Sequence, residues 1–183
     1  LHPVPPHRSP ALGSPNACAL DQIDADNVDT LRVAWRRPLV DAAYLAVDPE
    51  LRFSNVSLAA PLIVDGVGYV PNAIGLVEAF DIGTGETLWG QQPFGGPDEL
   101  RGTGIRGVAY WTDGTSARIL VHRGEYLYAL DPETGETFPD FGDGGRVDLT
   151  VGLGEGARYR WGSVPMVVRD VVVVGQSMSD TFE

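Results

Sequence analysis

The sequence predicts an all-β chain of short, four-stranded antiparallel sheets arranged as the blades of a β-propeller. Three observations carry that prediction. Gly 23 and Pro 14 among 183 residues put a backbone breaker every few positions, which suits short strands and turns and argues against a helical bundle. Apolar runs are separated by tight-turn signals. In APLIVDGVGYVPN, starting at Ala60, Asp65-Gly66 stands between two strands, and Asp-Gly between apolar runs is a strong hairpin signal. Finally, the chain repeats itself. AFDIGTGETLW begins at Ala79 and ALDPETGETFP at Ala129, fifty residues apart, with Ala, Asp, Thr, Gly, Glu and Thr at matching offsets. A period of about 40 to 50 residues with four strands per copy marks propeller blades.

Taken in order, residues 1–17 are proline-rich and hold little that can pack, so they read as a flexible N-terminal segment; the propeller domain is assigned to 18–183. In DQIDADNVDTLRVAW, Asp24 or Asp26 caps a short helical turn before Leu31, Val33 and Trp35 enter a strand. Pro38 to Ser57 is an irregular excursion. After the Asp65-Gly66 hairpin, GLVEAFD gives a third strand, Gly83-Thr84-Gly85 a turn, and a fourth strand ends on Trp89. RGVAYWTDGTSARILVHRGEYLYALDPETGETF repeats the scheme with turns at Asp113-Gly114, Arg123-Gly124 and Thr134-Gly135. A third start, SVPMVVRDVVVVGQSMSD, aligns Pro165 with Pro61, puts Arg169-Asp170 in the turn and ends a valine strand on Gly175.

The repeated residues suit close-packed sheets. A small Ala lets neighbouring sheets approach, the Asp side chain accepts turn N–H groups, and Gly85 and Gly135 supply the positive φ of a tight turn. Trp89 covers the gap between blades. In the second copy Pro139 stands in its place, so packing there must differ. At about 50 residues per blade the chain makes three to four blades, whereas closed rings usually need 4 to 8. The expectation is therefore part of a ring, cut short or closed by association.

Composition narrows the function. The chain is 43% hydrophobic and 21% charged, which excludes wholesale disorder. Its net charge of −12 opposes phosphate backbones and anionic membrane surfaces, so no nucleic-acid partner is expected. Cys18 alone makes neither an internal disulfide nor a cysteine-rich zinc site. No apolar run approaches the roughly 18 residues of a membrane span, and no signal peptide is visible. Walker, GxSxG and HExxH motifs are absent, and GLGEG from Gly152 lacks the lysine and helix of a phosphate cradle. Glu78 and Glu125 read as solvated strand positions, His122 as an isolated strand histidine, and the four tryptophans as blade packing.

Several segments resemble the pyrroloquinoline quinone (PQQ) dehydrogenases, a family of eight-bladed quinoprotein propellers. The two A-x-D-x-x-T-G copies resemble that family's tryptophan-docking motif, Leu20 to Trp35 its entry segment, and RGTGIRGVAYW its quinone-contacting segment. FGDGGRVDL followed by YRWGSVP resembles the glucose/polyol dehydrogenase-like branch. The resemblance runs from about Leu20 to Glu183 and implies the N-terminal portion of such an enzyme. It assigns Arg106 to the quinone, since a guanidinium fork suits the carboxylates and ortho-quinone oxygen of PQQ. It places Ser163 and Ser177 at small hydroxyl positions of the cofactor rim, and Asp180 where relatives hold Ca²⁺ with a carboxylate. It further implies a small-molecule alcohol or sugar substrate, a cytochrome or quinone electron acceptor, and a periplasmic location.

Departures accompany the resemblance. Leu58 stands where relatives carry Glu or Gln, Gly162 replaces a Thr or Ser common beside Ser163, and Leu100-Arg101 replace the adjacent cysteines of the alcohol-dehydrogenase branch. The family's general-base aspartate and the tryptophan floor under PQQ fall beyond Glu183, so this chain alone is expected to be inactive. The rival expectations are a non-catalytic PQQ-like propeller serving as a scaffold or binding module, and a ring closed by two copies.

Overall fold

The computed structural model describes residues 22–53, 55, 57–93, 100, 105–153, 160–161 and 163–177, of which 160, 161, 176 and 177 are described by backbone alone. The flexible segment assigned to 1–17, Gly162 and Asp180 lie outside the described residues. The chain divides into one unit up to Val33 and a second from Ala34 to Glu183.

In the first unit the 3-10 turn is preceded by Asn27 at the N-cap position, not by Asp24 or Asp26, and no side chain caps it. Asp24 instead closes the turn ahead of it. Its carboxylate accepts the N–H groups of Asp26 and Asn27 at 2.9 and 3.1 Å, while Asn27 Oδ1 accepts the Asp24 N–H at 3.0 Å. This reciprocal pair lies just ahead of the 3-10 turn at Val28–Thr30. The strand expected over Leu31, Val33 and Trp35 does not form.

The second unit opens with a missed element. The excursion contains a helix, α1 (Ala42–Val47), capped by Asp41, whose Oδ1 accepts the Ala43 N–H at 2.9 Å. That hydrogen bond, then one from Thr87 Oγ1, hold the Asp41 carboxyl below its ordinary pKa.

Two four-stranded antiparallel sheets follow. The first is β1 (Leu62–Val64), β2 (Val67–Pro71), β3 (Val77–Asp81) and β4 (Thr87–Gly90), paired in that order. Asp65 and Gly66 both take positive φ, 48° and 85°, the conformation a two-residue hairpin demands. The second sheet is β5 (Ala109–Thr112), β6 (Ala117–Arg123), β7 (Tyr126–Leu130) and β8 (Arg146–Asp148). Its middle turn is Gly124-Glu125, one residue later than expected, because Arg123 pairs with Tyr126. The fourth strand is also displaced: a Leu130–Thr137 bridge and a hydrogen bond donated by the Phe138 N–H to the Ala129 carbonyl continue the first-copy pattern before the chain loops out to β8.

Among the described residues four short strands follow: β9 (Arg160–Trp161), β10 (Met166–Val168), β11 (Val171–Val173) and β12 (Gln176–Ser177). β10 pairs with β11 through the expected Arg169-Asp170 turn, and β12 pairs with β9. The described residues thus form a partial β-propeller of stacked antiparallel sheets.

Packing follows strand alternation. Leu62, Val64, Val67, Tyr69, Val77 and Ala79 of the first sheet meet Val108, Ile119, Val121, Tyr128 and Leu130 of the second. The far face of the second sheet, with Ala109, Leu120 and Ala129, meets Val167 and Val172. Met166, Val168, Val171 and Val173, at the positions of Leu62, Val64, Val67 and Tyr69, are exposed.

Indole rings join these layers. Trp89 lies over Gly135 (φ 75°), and its Nε1 donates to the Pro132 carbonyl at 2.9 Å. Trp35 lies over Gly85 (φ 77°), and its Nε1 donates to the Ile82 carbonyl at 2.9 Å. Trp35 therefore performs for the first sheet what Trp89 performs for the second, and this side-chain dock, not a ladder, holds its segment. The turns beneath are alike. Asp81 accepts the N–H groups of Gly83 and Thr84, which lowers its pKa, and Asp131 accepts those of Glu133 and Thr134. Beyond the second sheet no indole docks at position 139. The Arg118 guanidinium fills the gap, 4.6 Å above Phe138 and within 6 Å of Trp111 and Phe141.

Glu78 corrects another expectation. It is 2% exposed and pairs with Arg37 at 2.9 Å, while its other oxygen accepts from Asn72 Nδ2 and the Asp41 N–H at 3.0 and 3.1 Å. The segment ahead of α1 covers it. Nearby, Tyr44 is buried and donates to the Gln91 carbonyl at 2.8 Å; burial, then the charge of Glu78, raises its pKa far above the ordinary phenol value.

Three outcomes are expected in urea unfolding. Trp89→Phe keeps an aromatic ring but loses the bond to Pro132, costing about 1 kcal/mol. Gly135→Ala must cost more, since it meets both the positive φ and the indole; the reverse order would contradict the dock. Arg37→Ala leaves a buried carboxylate without its cation and should cost about 3–5 kcal/mol.

Candidate functional site

In each antiparallel hairpin the first strand starts at the end opposite its turn. The segments entering β1, β5 and β10 therefore share one end of their sheets, away from the Asp65-Gly66, Asp113-Gly114 and Arg169-Asp170 turns. These segments are stitched together. The Ala60 N–H donates to the Arg106 carbonyl at 3.0 Å. Gly107 is buried so closely that a Cβ there would stand 3.1 Å from Val164 Cγ2 and 3.4 Å from the Ala60 carbonyl oxygen.

This junction brings together two of the four residues singled out from sequence. Arg106 precedes Gly107 and Ser163 precedes Val164, so both flank the same contact. The Arg106 side chain is exposed, and among the described residues its guanidinium has no ion-pair partner. Its backbone is fixed while its charged end faces solvent. Ser163 is half-buried. Its Oγ accepts the Gly175 N–H at 2.8 Å and donates to the Gly175 carbonyl at 3.1 Å. Ser177 lies on β12 opposite Arg160. Among the described residues no group of three or more His, Cys, Asp or Glu is placed to hold a metal.

The departures also find places. Leu58 is exposed just ahead of the Ala60 contact, and Leu100 is fully buried with Ile74 and Leu76. An apolar side chain at position 100 is thus accounted for by the core. Sequence reasoning missed Gly107 and Gly175, whose importance lies in what approaches them from distant segments. The signal available was a glycine directly after Arg106 and another two residues before Ser177.

A cleft of about 470 Å³ opens at the other end of the first two sheets, lined by Asp65, Tyr69, Tyr110, Asp131, Glu133 and Phe138 among others. Burial and neighbouring groups, these carboxylates included, raise the Tyr69 pKa. The lining of this cleft includes none of Ala60, Arg106, Gly107 or Ser163, and Asp131 is engaged in its own turn. Among the described residues no helix is long and apolar enough to cross a membrane.

The comparisons with known proteins converge. A family model described as "PQQ: Glucose/ethanol/alcohol dehydrogenase, beta-propeller domain" matches residues 13–183. The chain is 28% identical over 166 residues to the dehydrogenase subunit of alcohol dehydrogenase (quinone) from Gluconacetobacter polyoxogenes, covering 88% of this chain and 20% of that protein. It is 32% identical over 126 residues to the quinohemoprotein alcohol dehydrogenase of Comamonas testosteroni, covering 64% and 15%. The crystal structure of the quinohemoprotein alcohol dehydrogenase from Comamonas testosteroni aligns with a TM-score of 0.60 at 26% identity, over 86% of this chain and 21% of that one. The chain spans about a fifth of the length of these relatives.

The junction is testable without a ligand. Gly107→Val forces methyl groups against Val164 and the Ala60 carbonyl and should cost about 1–3 kcal/mol. Val164→Ala in the same chain should recover part of that loss in thermal melts; simple additivity would show that the strand starts are not in contact.

Proposed function

The chain belongs to the PQQ β-propeller family of the glucose, ethanol and alcohol dehydrogenases, and from that premise we propose that it forms part of a quinoprotein dehydrogenase oxidising an alcohol or sugar hydroxyl. The relatives are alcohol dehydrogenases by name, which weighs towards an alcohol. One observation carries the reading: an exposed guanidinium, on a backbone pinned by Ala60 and Gly107, beside the start of the next hairpin.

The described residues fit the anionic side of PQQ. Arg106 offers a planar fork of N–H donors suited to carboxylate and quinone oxygens. Because its carbonyl is held by Ala60, the guanidinium swings from a fixed root, which reduces the ordering cost of binding. Gly107 keeps the strand starts close, so groups on neighbouring segments converge on one ligand. PQQ, when bound, supplies the two-electron acceptor for the hydride of the hydroxyl-bearing carbon. Asp180 is the carboxylate we assign to Ca²⁺, with Ser177 on the strand leading to it. The electrons would pass to a cytochrome or quinone acceptor, and the location would be periplasmic.

The second reading, a PQQ-like propeller used as a scaffold or binding module, draws on one observation: Leu58 is exposed, at 67%, where a polar cofactor contact belongs in the resemblance.

Calorimetric titration with PQQ, with and without Ca²⁺, separates the two. Binding is expected in the wild-type chain and at least about tenfold weaker in Arg106→Ala, since a charge-assisted hydrogen bond is lost. No heat in any combination would overturn the cofactor reading and leave the scaffold.

A further inference from the structure

We propose that Ser163 serves this end of the chain as a positioning residue, clamping Gly175 and thereby fixing the departure of β12, and not as a direct cofactor ligand. The proposal rests on the PQQ reading above and refines the role of one of its residues.

The geometry of the hydroxyl is the first support. Ser163 Oγ accepts from the N–H of Gly175 and donates to the carbonyl of the same residue, at 2.8 and 3.1 Å. A serine hydroxyl has one hydrogen to give, and here it is given to Gly175. The carboxylate and quinone oxygens of PQQ are acceptors, so towards them Ser163 has nothing left to donate.

The second support is topological. Val171–Val173 pairs with β10, whereas Gln176–Ser177 pairs with β9. Gly175 therefore sits where the chain leaves one ladder for another, and both polar groups of its peptide lose their strand partners there. A backbone N–H and C=O in that situation need substitutes. The Ser163 hydroxyl supplies both at once.

The third is steric. A Cβ at Gly175 would stand 2.7 Å from Ser163 Oγ and 3.2 Å from Ser163 Cβ. Glycine is required because the serine is there, and the serine is useful because glycine lets it approach. The pair fixes where Ser177 begins, two residues further on.

The experiment measures amide hydrogen exchange at Gly175, Gln176 and Ser177 alongside PQQ affinity, in the wild-type chain, Ser163→Ala, Ser163→Thr and Arg106→Ala. Ser163→Ala should speed exchange at Gly175 about tenfold, the loss of one neutral hydrogen bond, and weaken PQQ binding; Ser163→Thr should restore both. Unchanged exchange in Ser163→Ala would overturn the clamp. Lost affinity with Gly175 still protected would also overturn it, in favour of a direct contact. If the wild-type chain takes up no PQQ, the cofactor reading falls while exchange at Gly175 still decides the clamp. Should Ser163→Ala fold poorly, Ser163→Gly combined with Gly175→Ala gives the answer from stability: a cost smaller than the sum of the single changes supports the pair, and additive costs refute it.

Discussion

The layered structure depends on a flat indole resting on a glycine that no other residue could replace. At Gly85 and Gly135 the backbone takes a positive φ and lies directly beneath Trp35 and Trp89. A Cβ would fail there twice, through the backbone conformation and through the ring above it. Each indole then directs its N–H into the carbonyl three residues before its glycine, Ile82 or Pro132. The contact is apolar over the ring face and polar at one point, so it fixes both separation and register. Ala79 and Ala129, fully buried, allow the close approach that this separation requires. Where the indole is missing, after the second sheet, Arg118 among three aromatic rings closes the gap. The chain has no lysine, and its 13 Lys/Arg positions are all arginine, the cation best able to stack on rings as well as form ion pairs.

Fixed separation between sheets has a consequence at their starting ends. Ala60 and Val164, entering the first and third hairpins, both approach Gly107 at the entry of the second. The Trp89 dock spaces the first two layers, and Arg118 among its rings lies beyond the second. Arg106 is then held through its main chain, and among the described residues its guanidinium enters no ion pair. Arg37 is used in the opposite way, with its guanidinium spent on the buried Glu78. Two arginines of one chain are thus divided by what holds them, backbone or side chain, and that division separates a candidate ligand-binding group from a structural one.

Most of the strand pattern was legible because its physics is local. Asp65-Gly66, Asp113-Gly114 and Arg169-Asp170 announce their turns within a few residues, and alternating apolar positions announce the buried faces. What stayed hidden depends on distant partners. Nothing near Trp35 says that Ile82 and Gly85 await it, so a strand was expected where a side-chain dock forms. Glu78 looks solvated until Arg37 and Asn72 arrive from other segments. The displaced β8 follows a loop carrying Gly142, Gly144 and Gly145 at positive φ, whose length the first copy does not foretell. At the candidate site, Arg106 and Ser163 were reached by resemblance and do share one junction. The engagement of Ser163 by Gly175 belongs to a change of ladder partner, which only topology exposes.

Electrostatics bears on how such a site would work. A chain of net charge −12 repels a polycarboxylate at long range, so attraction cannot come from the field of this chain as a whole. At physiological salt that repulsion fades over about 8 Å, and an exposed guanidinium acts well inside this distance. Were PQQ to bind at Arg106, its affinity would arise on contact, from a guanidinium on a fixed root, and not from steering. This makes the immobility of the surrounding backbone the decisive quantity. The Ala60 bond to Arg106, the Gly107 junction and the Ser163 hold on Gly175 each supply part of it.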